Sequence, residues 1–255
     1  MRDPRSILIT GASSGIGAAL AQAYAAPGMT LHLCGRDPER TAATVAICRA
    51  AGASAAGQAL DVADRDAAAA WIEACDDAAP IDLVIANAGI SSATSAVPEG
   101  EIARRIVATN VDGVLNTVQP LIPRLKARRR GQIAIMASLA AFRGYRGSAA
   151  YSASKAAVRA WGEGLRGDLA GDGIAVSVIC PGYVTSRISA SNTHPMPMLM
   201  SAERAAAVIR RGLARNRGRI AFPLPMYWGT LLGVALPSSI MDRVQRKFPL
   251  KESGN

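Results

Sequence analysis

Short apolar runs recur along this chain, separated by longer stretches with apolar residues at helical spacing. Ser6–Thr10 (SILIT), Thr30–Gly35 (TLHLCG), Ala55–Leu60, Asp82–Ala86, Gln132–Ala137 and Ile174–Cys180 read as buried strands. Between them, Ala18–Ala26, Pro38–Ala51, Arg65–Asp77, Glu101–Arg130 and Ala149–Leu169 read as helices. Asp37, ahead of Pro38-Glu39-Arg40, is the expected N-cap of the second helix. Pro120 and Pro123 interrupt the stretch Glu101–Arg130, which is either one bent helix or two shorter ones. The alternation of strand and helix carries no hairpin signal. It predicts a three-layer α/β/α architecture, a doubly wound parallel sheet in a single domain.

In such a sheet ligands bind outside the carboxyl ends of the strands. Gly11, Arg36, Asp61, Asn87, Ser138 and Pro181 all follow predicted strands on that edge. Gly11-Ala12-Ser13-Ser14-Gly15-Ile16-Gly17 joins the first strand to the first helix. A glycine-rich turn there lets backbone N–H groups and a helix N-terminus face a phosphate. After the second strand a dinucleotide fold needs a residue that reads the adenosine ribose. NAD sites usually carry an acid there, whereas this chain has Gly35 and then Arg36. An arginine suits a 2′-phosphate, so NADP(H) is favoured over NAD(H). The small residues of Asn87-Ala88-Gly89 would let an adenosine–ribose moiety lie across the strand ends.

Tyr151 and Lys155 stand four residues apart in a helical segment, on one face and one turn from each other. A lysine beside a tyrosine favours phenolate, so the Tyr151 pKa is expected to fall. Such a tyrosine can give or take a proton near neutral pH. Asn110 is a poor helix-interior residue in the middle of a long helix; it is either solvent-facing or a buried polar group.

Composition narrows the picture. The 255 residues are half hydrophobic and only 4% aromatic, ample for a core built on small side chains. Cys34, Cys48, Cys75 and Cys180 show no paired spacing and read as buried free thiols in a reducing compartment. His32 and His194 lie far apart, so no metal site is expected. No signal-peptide pattern opens the chain, and a cytoplasmic location is expected. The net charge is +10, part of it in Lys126–Arg130 and in Arg204–Arg219. No nucleic-acid motif accompanies it, so no nucleic-acid partner is expected and Lys126–Arg130 reads as a solvated helix end.

Taken together, these residues resemble the classical short-chain dehydrogenases/reductases, a family with one Rossmann-type domain. The resemblance spans about Ser6 to Phe222. Thr10–Gly17, with Gly11, Ser13, Ser14, Gly15, Ile16 and Gly17, is similar to the family's cofactor turn. Asp61-Val62 and Asn87-Ala88-Gly89 match its adenine-side motifs. Asn110, Ser138, Tyr151 and Lys155 match its catalytic tetrad. Pro181, Gly182 and Val184 match the segment at the nicotinamide end, where the family's usual threonine is replaced by Ser186 preceded by Thr185.

The resemblance implies an NADP(H)-dependent oxidoreductase that interconverts a carbonyl and a secondary alcohol. Tyr151 would be its general acid or base, Ser138 would bind the substrate oxygen, and Lys155 would tune Tyr151 and hold the nicotinamide ribose. Asn110 would hold a relay water. It also implies a homodimer or homotetramer packed through Glu101–Arg130 and Ala149–Leu169. Two other readings compete. A non-catalytic nucleotide-sensing or scaffold protein would not need the intact tetrad. A sugar-nucleotide epimerase or dehydratase fits the short chain and the glycine spacing poorly.

The substrate is expected to be hydrophobic, under a lid Tyr183–Ser201 rich in methionine (Met196, Met198, Met200, with Leu199) and flanked by Phe142 and Tyr145. Ile220–Phe222 resembles the family's last strand and closes a dinucleotide-binding catalytic domain, residues 1–222. Residues 223–255 form an extension, either part of that domain or a docking segment. Ile220–Met241 contains no charged residue, but its prolines and glycines oppose a spanning helix. Tyr227 and Trp228, followed by Arg243, Arg246, Lys247 and Lys251, suit an anionic membrane surface; covering the pocket or an interface are the other options.

Overall fold

The computed structural model describes residues 3–91, 99–190 and 195–246. Lys247, Lys251 and His194, which entered the expectations above, lie outside the described residues, as does part of the expected lid. A seven-stranded sheet of β1 (Ser6–Thr10), β2 (Thr30–Gly35), β3 (Ser54–Ala59), β4 (Leu83–Ala86), β5 (Gly131–Met136), β6 (Ile174–Pro181) and β7 (Arg219–Phe222) organises the chain. Every pairing is parallel, in the order β3-β2-β1-β4-β5-β6-β7. The chain winds outward from β1 to β3, then returns to β4 on the other side of β1. That reversal opens a crevice at the carboxyl ends of β1 and β4.

The period-two pattern of a strand decides which face each side chain joins. Ile7, Ile9, Leu31 and Leu33 pack with Leu20, Val45, Ile209 and Leu213 on one face. Those partners come from α1 (Gly15–Tyr24), α2 (Pro38–Ala50) and α9 (Ala202–Ala214). Leu8, Val84, Ile133 and Ile135 pack on the other face with Ile72, Leu125 and Val158. These come from α3 (Arg65–Ala78), α6 (Leu121–Arg128) and α7 (Ala149–Asp168). All four strand residues in each set are fully buried. Truncating one such side chain to alanine costs about 2–5 kcal/mol.

Two helices differ from expectation for clear reasons. α1 begins at Gly15 rather than Ala18, because the last glycines of the turn already form its first turn. The stretch Glu101–Arg130 is neither one helix nor two. It runs as α4 (Glu99–Val107), a π-helical stretch Ala108–Asp112, α5 (Gly113–Val118) and α6. Pro120 lacks the N–H that would continue α5, and Pro123 is harmless in the first turn of α6.

The basic run at the end of α6 is not simply solvated. Arg128 donates to both carboxylate oxygens of Asp76 at 2.7 and 2.8 Å, and Arg124 adds a contact at 3.2 Å. The tail forms α10 (Leu224–Ala235) and α11 (Ser238–Arg246), after a short α8 (Arg187–Ala190). No helix among the described residues is long and apolar enough to cross a membrane.

Candidate active site

The turn after β1 is shaped by close approaches. Gly11 has φ 67°, and a Cβ on it would meet the Ala88 backbone at 2.8 Å. A Cβ on Gly17 would meet the Gly11 carbonyl oxygen at 2.2 Å. Gly17 therefore serves helix-to-turn packing. It does not line the cavity that Gly11, Ser13, Ser14, Gly15 and Ile16 line. Asn87 donates to the carbonyls of Thr10 and Gly11 at 2.9 and 3.2 Å and clamps the turn against the end of β4. The Ser14 side chain makes no capping bond to α1. The first N–H groups of that helix thus lack a side-chain cap at the cavity edge, which fits a phosphate.

The cavity measures about 1230 Å³. Arg36, Asp61, Val62, Asn87, Ala88 and Gly89 line it, as do Pro181, Gly182, Val184 and Ser186. Thr185 does not; its hydroxyl turns to the Met200 carbonyl at 3.4 Å. Ser186 instead sits against Gly15, exchanges hydrogen bonds with Ser189, and is the hydroxyl of that pair on the cavity wall. Asp37 caps α2 by accepting from the Arg40 N–H at 3.0 Å and pairs with its guanidinium at 2.6 Å.

Ser138, Tyr151 and Lys155 share one wall of this cavity. Ser138 follows β5 and accepts from the Ala140 N–H at 3.1 Å. α7 carries Tyr151 and Lys155. The ammonium of buried Lys155 donates to the Met136 carbonyl, the last of β5, at 2.9 Å, and lies 5.9 Å from the centroid of the Tyr151 ring. Burial lowers the Lys155 pKa to about 8.

The Tyr151 pKa is raised, contrary to expectation. Burial of the phenol outweighs the lowering influence of its hydrogen bond with Ser138.

Asn110 lies one layer behind. It is fully buried in the π-helical stretch and does not line the cavity. Its Oδ1 accepts from the Ile90 N–H at 2.8 Å, and its amide donates to the Ile90 carbonyl and the Ser154 hydroxyl at 3.0 Å each. The Ser154 hydroxyl donates to the Tyr151 carbonyl at 2.8 Å. The π-helical stretch is what turns a helix-interior asparagine inward to join two elements. A Cβ on Gly89 would lie 3.2 Å from both Asn110 Oδ1 and Lys155 Nζ, so the two groups flank one small gap.

The expected substrate walls need correction. Phe142 does not line the cavity; it packs edge-on against Tyr227 at 5.7 Å and under the guanidiniums of Arg159 and Arg219. Met198 and Leu199 are exposed, and Met200 pairs with Val184. Of the expected walls, Tyr145 lines the cavity and the lid reaches it through Tyr183, Pro195 and Pro197; Leu139 from the loop after β5 and Met226 and Thr230 from α10 add to them. Covering the pocket was one of the options for the tail, and Met226 and Thr230, four residues apart on α10, put that helix on the cavity wall. All four cysteines are buried free thiols, and no group of side chains among the described residues could hold a metal.

A doubly wound parallel sheet with an uncapped helix and a glycine turn at its switch point defines a nucleotide-binding α/β protein. The sequence matches the short chain dehydrogenase family over residues 5–196, and the chain belongs to the short-chain dehydrogenases/reductases. It is 39% identical over 247 residues to an uncharacterised oxidoreductase of Myxococcus xanthus, covering 96% of this chain and 97% of that protein. It is similar to a short-chain dehydrogenase of Sphingobium yanoikuyae in complex with NADPH, with TM-score 0.78, 25% identity and 98% coverage of both chains. A Burkholderia phymatum relative in complex with NAD has TM-score 0.79 and 25% identity, covering 100% of this chain and 98% of its own. The chain is thus an oxidoreductase of a fold that binds nicotinamide cofactors.

Proposed function

We propose that this protein is an NADP(H)-dependent reductase and dehydrogenase that interconverts a hydrophobic ketone and its secondary alcohol. The observation that carries this reading is the convergence of Ser138, Tyr151 and Lys155 on a cavity whose far end holds the glycine turn and Arg36. The chain's residues fit the cofactor: Gly11–Ile16 and the α1 N-terminus suit its phosphates, and Arg36 suits a 2′-phosphate. Asp61, Val62, Asn87, Ala88 and Gly89 would hold the adenosine half. Pro181, Gly182, Val184 and Ser186 would hold the nicotinamide half. When bound, the cofactor supplies or accepts the hydride.

The protein supplies geometry and the proton. In the reductive direction the Tyr151 hydroxyl protonates the carbonyl oxygen, and a phenol kept neutral by burial is suited to give that proton. Ser138 holds the substrate oxygen beside the phenol and stabilises charge developing on it. In the oxidative direction Tyr151 must lose its proton first. The cation of Lys155 favours that loss, and an oxidised nicotinamide, when bound, would add to it. Lys155 would also hold the nicotinamide ribose. Asn110 fixes the backbone at Ile90 and the Ser154 hydroxyl, and its Oδ1 borders the gap toward Lys155 where a relay water would sit.

Leu139, Tyr145, Tyr183, Pro195, Pro197 and Met226 favour an apolar substrate. Buried free thiols support a reducing, cytoplasmic setting. We infer a homodimer or homotetramer through the faces of α4–α6 and α7, which light scattering would read.

The test is a panel of hydrophobic ketones and alcohols followed by NADPH and NADH absorbance. Turnover is expected with NADPH, and Arg36→Ala is expected to lower the NADPH-to-NADH preference by about tenfold, the loss of one charge-assisted phosphate contact. Cofactor binding with no turnover across the panel would favour the nucleotide-sensing reading instead.

A further inference from the structure

Helix α10 presents two unlike faces. Met226 and Thr230, one turn apart, line the large cavity. Leu224, Trp228 and Leu232, at the same spacing on another face, are 60%, 64% and 65% exposed. Val234 and Ile240 add exposed apolar surface nearby. A single exposed leucine needs no explanation, but a stripe of three large apolar residues on one helix face marks an interaction surface.

The end of this stripe adjoins a concentration of positive charge. Leu224 also lines a second, shallow cavity of about 250 Å³, shared with Arg211, Arg215, Arg217 and Arg219. Arg219 is committed to Glu163 and to the Tyr227 hydroxyl. Arg211, Arg215 and Arg217 are exposed and form no ion pair with a described carboxylate. Guanidiniums without an acid suit phosphate oxygens. A second copy of the chain would bring the same net charge of +10, which opposes self-association through this face.

We propose that α10 docks on an anionic phospholipid surface. Trp228, Leu232 and Leu224 enter the acyl boundary, and Arg211, Arg215 and Arg217 meet the headgroup phosphates. Docking does not depend on the proposed chemistry, but its consequence does. The helix that meets the lipid is also a wall of the cavity, so an apolar substrate would pass from bilayer to site across one helix width, about 10 Å.

The experiment is co-sedimentation of the full chain, without cofactor or substrate, with two kinds of vesicle. One is phosphatidylcholine alone; the other mixes phosphatidylcholine with phosphatidylglycerol. The wild type is expected to pellet with the anionic vesicles, weakly with the neutral ones, and less as salt rises. Arg211→Gln with Arg215→Gln and Arg217→Gln should weaken anionic binding on the order of 100-fold, and Trp228→Asp with Leu232→Asp should abolish it. All five positions are exposed, so thermal midpoints should stay near wild type.

Salt-insensitive partition, or equal pelleting on both vesicles, would overturn the proposal. So would an absence of wild-type binding joined to a dimer that the Trp228→Asp, Leu232→Asp protein no longer forms, which would make the face a contact between copies. NADPH affinity measured separately reads the oxidoreductase proposal, so the two can fail independently.

Discussion

Lys155 and Asp76 are both buried ionisable side chains, on opposite edges of one sheet. Asp76 ends α3 on the amino edge, where Arg128, Arg124 and the Ile81 N–H converge on its carboxylate. Burial pushes its pKa up, but the hydrogen bonds and charge of these partners outweigh it, and the net shift is down. Lys155 stands on the carboxyl edge with one carbonyl, an aromatic ring and no described carboxylate. Burial brings its pKa down to about 8. The satisfied charge ties two helix ends together. The unsatisfied one is kept at a cost to stability, which is what a group retained for chemistry looks like.

Exchanging the two roles is the sharpest way to break this contrast. Lys155→Met should lower kcat by at least about 100-fold on a substrate found by the panel, with no fall in thermal midpoint. Asp76→Asn should do the reverse. It leaves two arginines facing a neutral amide and costs about 2 kcal/mol, less than a wholly buried pair because water reaches both guanidiniums. Calorimetry should show a midpoint lower by roughly 4–8 °C for a chain of this size, with activity per folded molecule unchanged. Loss of activity without loss of stability in Asp76→Asn would erase the distinction.

The smallest effect is in pH dependence. The folded Lys155 pKa is lowered, so the unfolded chain binds more protons between about pH 8 and the usual lysine value; its contribution to stability rises with pH there. The folded Asp76 pKa is lowered too, so its contribution holds above the usual carboxylate value and is lost as pH falls through the folded one. Denaturant titrations of wild type and the two variants across both windows should separate them.

The difference also tracks what the sequence made legible. Apolar runs such as Ile7–Ile9 and Ile133–Ile135 disclosed the strands, and strand ends disclosed the rim holding Ser138 and the glycine turn. Tyr151 and Lys155 were legible because four-residue spacing on a helix is a local fact. The Asp76–Arg128 pair was not, since it joins two helix ends 52 residues apart. The lid reaches the cavity through Tyr183, Pro195 and Pro197 and not through Met198 and Leu199, because composition does not say which side chains turn inward. The π-helical stretch at Asn110 was hidden as well: one extra residue in a helical turn leaves no compositional trace. The raised Tyr151 pKa was hidden too, because burial of the phenol is set by tertiary packing and not by its spacing from Lys155.

The most direct measurement is the Tyr151→Phe protein assayed for NADPH binding and for turnover in parallel. Its NADPH dissociation constant is expected to stay close to wild type and its kcat to fall by at least about 100-fold, the low end for removing a general acid. Turnover near the wild-type level on a confirmed substrate would contradict it.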